Sequence, residues 1–169
     1  IMDNPGYSNF VLEQDGIGDN IYNLRVTGTN PNKHYILSWW VAWNAEWDGP
    51  PHVLNVTNAS TELNAGLPSV DKTDMVGSWT DDENKMASRV ISTKVINGLT
   101  WRKLFAKVYT DENANLGSID INLGTSSQGQ VSNSNSRRYF TDLRFEEIEN
   151  FNTALDIYIE KLKVEKSLI

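Results

Sequence analysis

Four tryptophans, Trp39, Trp40, Trp43 and Trp47, fall within nine residues, and Trp79 and Trp101 complete the six. An indole offers a broad apolar face and a single N–H donor. The C–H faces of sugar rings stack on such surfaces, while their hydroxyls need fixed polar partners. Polar residues interleave here in that way: Asn44, Glu46 and Asp48 accompany Trp43 and Trp47, and Asp81 and Asp82 follow Trp79. Trp40, Trp43, Trp47 and Trp79 are therefore the candidate ligand platform, with Asn44, Glu46 and Arg138 as candidate partners for hydroxyls. Each ring also has a structural use, because tryptophan fills cores and anchors contacts between subunits. Trp39 and Trp101 are expected in the core. Trp40 is either a platform or a ring buried beneath a loop.

Reactive chemistry is harder to assemble. The chain has no cysteine, which removes disulfides, thiolate zinc sites and cysteine nucleophiles together. Its two histidines, His34 and His52, fall in a turn and beside a proline pair, with no partners at ligand spacing. There is no G-x-S-x-G nucleophile elbow and no G-x-x-x-x-G-K-[ST] phosphate loop. Asp81-Asp82-Glu83 and Glu146-Glu147 read as solvated charge runs. No catalytic residue is assigned, and the chain is expected not to be an enzyme. A net charge of −7 argues against a nucleic-acid backbone or an anionic membrane as partner. No apolar run approaches the roughly 18–20 residues that span a bilayer, so no membrane span is expected.

The elements that must position these residues read as β. Ile21 to Val26 alternates apolar and polar residues, and Asn30-Pro31-Asn32-Lys33 makes a turn. The next strand, Tyr35 to Trp43, puts Tyr35, Leu37, Trp39, Val41 and Trp43 on one face and Ile36, Ser38, Trp40, Ala42 and Asn44 on the other. Both faces are apolar, so the strand is covered on both sides, or covered on one and used for binding on the other. His52 to Val56, Arg89 to Val95, Trp101 to Tyr109, Gly117 to Leu123 and Arg138 to Ile148 are further strands. The stretch from Asn58 to Lys85 reads as long loops. Short strands divided by turn clusters predict an all-β antiparallel sandwich or jelly roll. Residues 1–150 form that module. Residues 151–169, rich in Lys, Glu, Leu and Ile, form a short tail, helical or extended, or a linker to a further module. The start at Ile1 reads as that of a piece of a longer protein.

The order of these segments resembles carbohydrate-binding modules with a galactose-binding-like jelly roll. Tyr22-Asn23-Leu24-Arg25-Val26 and Tyr35-Ile36-Leu37-Ser38-Trp39-Trp40-Val41 look like the "Y-x-L-x-V … Y-x-L-S-x-x-V" pair of such modules. Thr100-Trp101 is similar to the step opening a later strand, and Gly117 to Leu123 is similar to the penultimate one. Arg138 to Phe145 is similar to the closing strand, and Asn4-Pro5-Gly6-Tyr7 to the opening "N-P-G-F". Two positions depart from the pattern: Ser8 stands where a glutamate is usual, and Thr141 where the first aspartate of a closing pair belongs. Those carboxylates often hold a structural Ca²⁺, an ion that takes about six to eight oxygen ligands. Asp3, Asp142 and backbone carbonyls remain to serve it. The resemblance implies a non-catalytic, lectin-like module of a larger protein, extracellular, on a cell surface or on a virion, with an oligo- or polysaccharide as partner. The alternative is a structural jelly-roll domain of a virion or phage appendage (capsid, fibre or spike protein), whose aromatic loops contact other subunits.

Overall fold

The structure, a computed structural model, describes residues 2–7, 9–15, 22–47, 54–57, 87–110, 117–123, 133–150 and 156. Trp79, the 58–86 loops and, apart from residue 156, the 151–169 tail lie outside these. The described residues form eight strands. They are β1 (Leu12–Asp15), β2 (Tyr22–Thr29), β3 (Lys33–Trp43), β4 (Leu54–Thr57), β5 (Ala87–Ile96), β6 (Leu99–Thr110), β7 (Gly117–Leu123) and β8 (Arg137–Ile148). Two antiparallel sheets result, one in the order β1-β8-β3-β6-β5 and the other in the order β2-β7-β4. Among the described strands, every connection except β5–β6 passes from one sheet to the other. Such crossing connections build a sandwich, and the all-β expectation holds. No helix among the described residues is long and apolar enough to cross a membrane.

β3 runs through the middle of the larger sheet, and residues 35 to 42 are buried without a break. Period-two alternation sends its side chains to two different cores. Tyr35, Leu37, Trp39 and Val41 pack with Leu104, Ala106, Val108 and Phe140, and Leu24 and Val26 of β2 close this inner core from the second sheet. Trp40 and Ala42 face the other way and pack with Trp101 of β6, under Met2 and Val11 of the N-terminal segment. So the strand is covered on both faces. The covering has a cost, since Ser38 Oγ and the Trp101 indole N–H are buried there and find no hydrogen-bond partner among the described residues. A lost hydrogen bond of this kind costs about 1–3 kcal/mol.

Local chemistry explains the corners. In the β2–β3 turn the Thr110 hydroxyl donates to the Asn30 carbonyl (2.6 Å) and accepts from the Lys33 N–H (3.1 Å). β5 and β6 are joined by Asn97-Gly98, both at positive φ (49° and 80°), between paired Ile96 and Leu99. That is the two-residue turn whose twist matches a hairpin, and glycine adopts its second position without strain. In β8 the register slips: Ser38 pairs with Arg144 but Trp40 with Thr141, so Asp142 and Leu143 together stand opposite Trp39. Asp142 opens this bulge at φ 54°, a conformation aspartate tolerates better than most residues.

The N-terminal segment crosses the bulge closely. Asn4 Oδ1 accepts the Gly6 N–H (2.9 Å), forming an Asx turn around Pro5. A Cβ on Gly6 would lie 2.7 Å from the Cβ of Asp142, so only glycine fits where the two backbones meet. Thr141 Oγ1 then donates to the Phe10 carbonyl (2.6 Å) and ties the segment down further along. Gly6→Ala should lift the segment and wet Trp40 and Trp101, with a red-shifted tryptophan emission and a loss of about 1–3 kcal/mol in chemical denaturation. An unshifted spectrum with an unchanged midpoint would mean that the segment does not seal this face.

Candidate functional site

The end of β3 and the start of β8 bring most of the candidate residues into one place. Asn44 leaves β3 and is locked to the 133–137 turn on three sides. Its backbone N–H donates to the Arg137 carbonyl (3.0 Å), its Oδ1 accepts the Arg137 N–H (3.0 Å), and its Nδ2 donates to the Asn135 carbonyl (2.8 Å). Ser136 Oγ donates to the Glu46 carbonyl (2.6 Å), and the Trp47 N–H donates to the Asn44 carbonyl (3.2 Å). These bonds satisfy the backbone where two strands end. The Asn44 amide is thereby committed to holding two loops together. The Glu46 side chain is exposed.

The tryptophans are packed by cations. Arg138, 1% exposed, lies in the interior with its guanidinium carbon 4.5 Å from the Trp47 ring and 5.3 Å from the Phe140 ring. Its Nε donates to Gln14 Oε1 of β1 (2.5 Å). Burial pulls Arg138 down to about 9, so it remains charged at neutral pH, and the aromatic faces and Gln14 stand in for the water it has lost. Arg102 lies 4.6 Å over the half-buried Trp43 ring, and burial lowers its pKa too. Trp40 has Lys103 Nζ at 5.8 Å and Lys94 Nζ at 5.9 Å. Trp40 and Trp47 are only 2% and 4% exposed. Their rings, like Arg138, are enclosed by the fold, and of this group Trp43 and Glu46 reach the surface. Cross-strand pairing supplies the reason at two of them: Trp40 stands opposite Lys103, and Arg102 stands opposite Val41, two residues before Trp43.

The two candidate calcium ligands are used differently. Asp3 Oδ2 accepts from Asn97 Nδ2 (2.9 Å) at the β5–β6 turn. Asp142 is ion-paired through Oδ2 to Lys103 Nζ (3.5 Å) and through Oδ1 to Arg144 Nε (3.3 Å). Both of its oxygens thus face cations, and a Ca²⁺ at the same carboxylate would be repelled by two positive charges. Among the described residues no three carboxylates or histidines gather as a metal site. Among the described residues, Asp3 and Asp142 do not come together as a calcium site.

A different surface offers open aromatic rings. Tyr7 and Phe10 are 66% and 82% exposed, on the segment that Gly6 and Thr141 pin to β8. Arg144 rests over Tyr7, with its guanidinium carbon 5.4 Å from the ring centroid. Neither residue belongs to the tryptophan pattern. Their only sequence signal is a pair of aromatics in the polar stretch before β1, and a stretch without periodicity does not say whether its rings are buried.

Asp142→Asn keeps the shape and tolerates the bulge conformation but withdraws the charge from the largely buried Lys103. It should cost about 3 kcal/mol in urea denaturation. Calcium or a chelator should leave the wild-type melting temperature unchanged, and a rise on adding calcium that Asp142→Asn abolishes would show that Asp142 does ligate the ion.

No protein-family model, curated protein sequence or solved structure matches the chain.

Proposed function

We propose that this chain is a non-catalytic carbohydrate-binding module of a larger extracellular or particle-borne protein, on a jelly-roll sandwich. Its partner is an oligo- or polysaccharide. The observation that carries this reading is the outward pair Tyr7 and Phe10, held on a rigid sheet by a segment tied down at Gly6 and Thr141. A segment tied down in this way presents its rings to a sugar with little loss of backbone freedom, because folding has already placed it. Loop aromatics on a rigid scaffold are a common form of binding surface.

Isothermal titration against a panel of soluble glycans tests the proposal. At least one glycan should bind, and Tyr7→Ala and Phe10→Ala should each weaken it about tenfold while leaving the melting temperature unchanged. Failure of every glycan to bind, or binding indifferent to both substitutions, would overturn it.

A second reading, assembly with other subunits of a virion or phage appendage, is favoured by the sheet edges. Leu12 on β1 and Val95 on β5 are exposed apolar side chains on the two outer strands of the larger sheet. Outer strands of this kind can pair with other chains. Under this reading, light scattering should find an oligomer that Leu12→Lys or Val95→Lys reduces to monomer. A wild-type monomer would rule it out.

A further inference from the structure

The Tyr7 ring is joined to a positive charge, and that narrows the kind of sugar it can serve. Resting on the carbohydrate-binding reading above, we infer that the surface selects an acidic sugar residue, one carrying a carboxylate or a sulfate ester. Arg144 leaves the outer face of β8 next to the bulge, and its side chain is 42% exposed. Its Nε donates to Asp142 Oδ1 at 3.3 Å, and its guanidinium carbon lies 5.4 Å from the Tyr7 ring centroid. A guanidinium has five N–H donors in a planar fork, and the bond to Asp142 uses the one on Nε. The two terminal amino groups lie further out along the side chain. They are spaced to grip a carboxylate or sulfate through two parallel hydrogen bonds.

Aromatic surface and fork are contiguous, so one ligand residue can use both. Its C–H face stacks on the Tyr7 ring while its anionic substituent meets Arg144. Asp142 contributes orientation, since it fixes the Nε side of the guanidinium, and Tyr7 limits its swing. Pre-ordering matters because a free arginine side chain forfeits rotamer entropy when it is immobilised. Selection must be local, because the chain as a whole is acidic at −7 and repels anions at long range. A neutral sugar would gain the stacking but leave the fork to water. An acidic sugar gains both.

The test uses the whole chain and paired probes that differ only in charge. A galacturonate oligomer is compared with its methyl ester, and a sulfated galactose oligomer with the unsulfated one, by isothermal titration. The wild type should bind at least one acidic member tenfold or more tightly than its neutral twin, and which pair responds distinguishes carboxylate from sulfate. Arg144→Gln should erase that preference while neutral-sugar affinity stays within about twofold, and Arg144→Lys should restore only part of it. Unchanged melting temperatures for both variants keep folding out of the comparison. Equal affinity for both members of each pair, or a preference that survives Arg144→Gln, overturns the inference while leaving the carbohydrate reading intact. Binding of neither member of either pair, with neutral glycans still bound elsewhere in a panel, likewise sinks only the acidic preference. Binding of no glycan at all overturns both.

Discussion

Burying β3 on both faces is the constraint from which the rest of the molecule follows. Eight consecutive residues of one strand are out of water, and alternation divides them between two cores that cannot touch each other. One core needs a second sheet, which β2 supplies through Leu24 and Val26. The other needs a cover that is not a sheet edge, and Met2 and Val11 of the N-terminal segment provide part of it. For that segment to lie flat it must pass over β8 at close range. Hence the left-handed Asp142 and the glycine directly against it. The bulge, the Asx turn and the Thr141–Phe10 hydrogen bond are consequences of closing a face that would otherwise leave Trp40 and Trp101 wet.

Cation–aromatic packing is the second organising feature. Lys94, Lys103, Arg102 and Arg138 all rest on indoles that the chain supplies in excess. Such contacts gain strength when both partners are desolvated, which is the situation of Arg138 between Trp47 and Phe140. An aromatic face occupied by an internal cation is not available to a sugar. The same physics at the surface gives the opposite result, because Arg144 over Tyr7 leaves the ring largely in water. Burial alone separates an indole used for stability from a ring open to a ligand.

Much of the scaffold was legible in the sequence. Seven of the eight strands carry an apolar pattern that marks them, and the two faces of β3 separate as the alternation of Tyr35 to Trp43 requires. The exception is β1, Leu12–Asp15, which has one apolar residue in four and forms by pairing with the β8 edge. Its reason for being a strand is its partner, and a partner 124 residues away, as Arg138 is from Gln14, leaves no local trace. The candidate site was legible only in part. Asn44, Glu46, Trp47 and Arg138 do come together, but Asn44 and Arg138 spend their hydrogen bonds on holding loops and a buried charge. Residue type announced polar groups among aromatics; it could not announce that those groups already had protein partners.

By itself the sequence determined the class of structure and the chemistry at hand. The strand periodicities, the Asn30-Pro31-Asn32 turn, the lack of cysteine and the surplus of indole are properties of the residues and needed no coordinates. Periodicity is local, so it survives in one dimension. Only the tertiary structure decided which rings are covered. Trp40 and Tyr7 are both aromatics beside a basic side chain, yet one is sealed under the N-terminal segment and the other projects from that segment into solvent. The difference arises because exposure depends on what a distant part of the chain lies against. Where residues 2–11 settle is fixed by Gly6, Asp142 and Thr141 acting together across more than 130 positions.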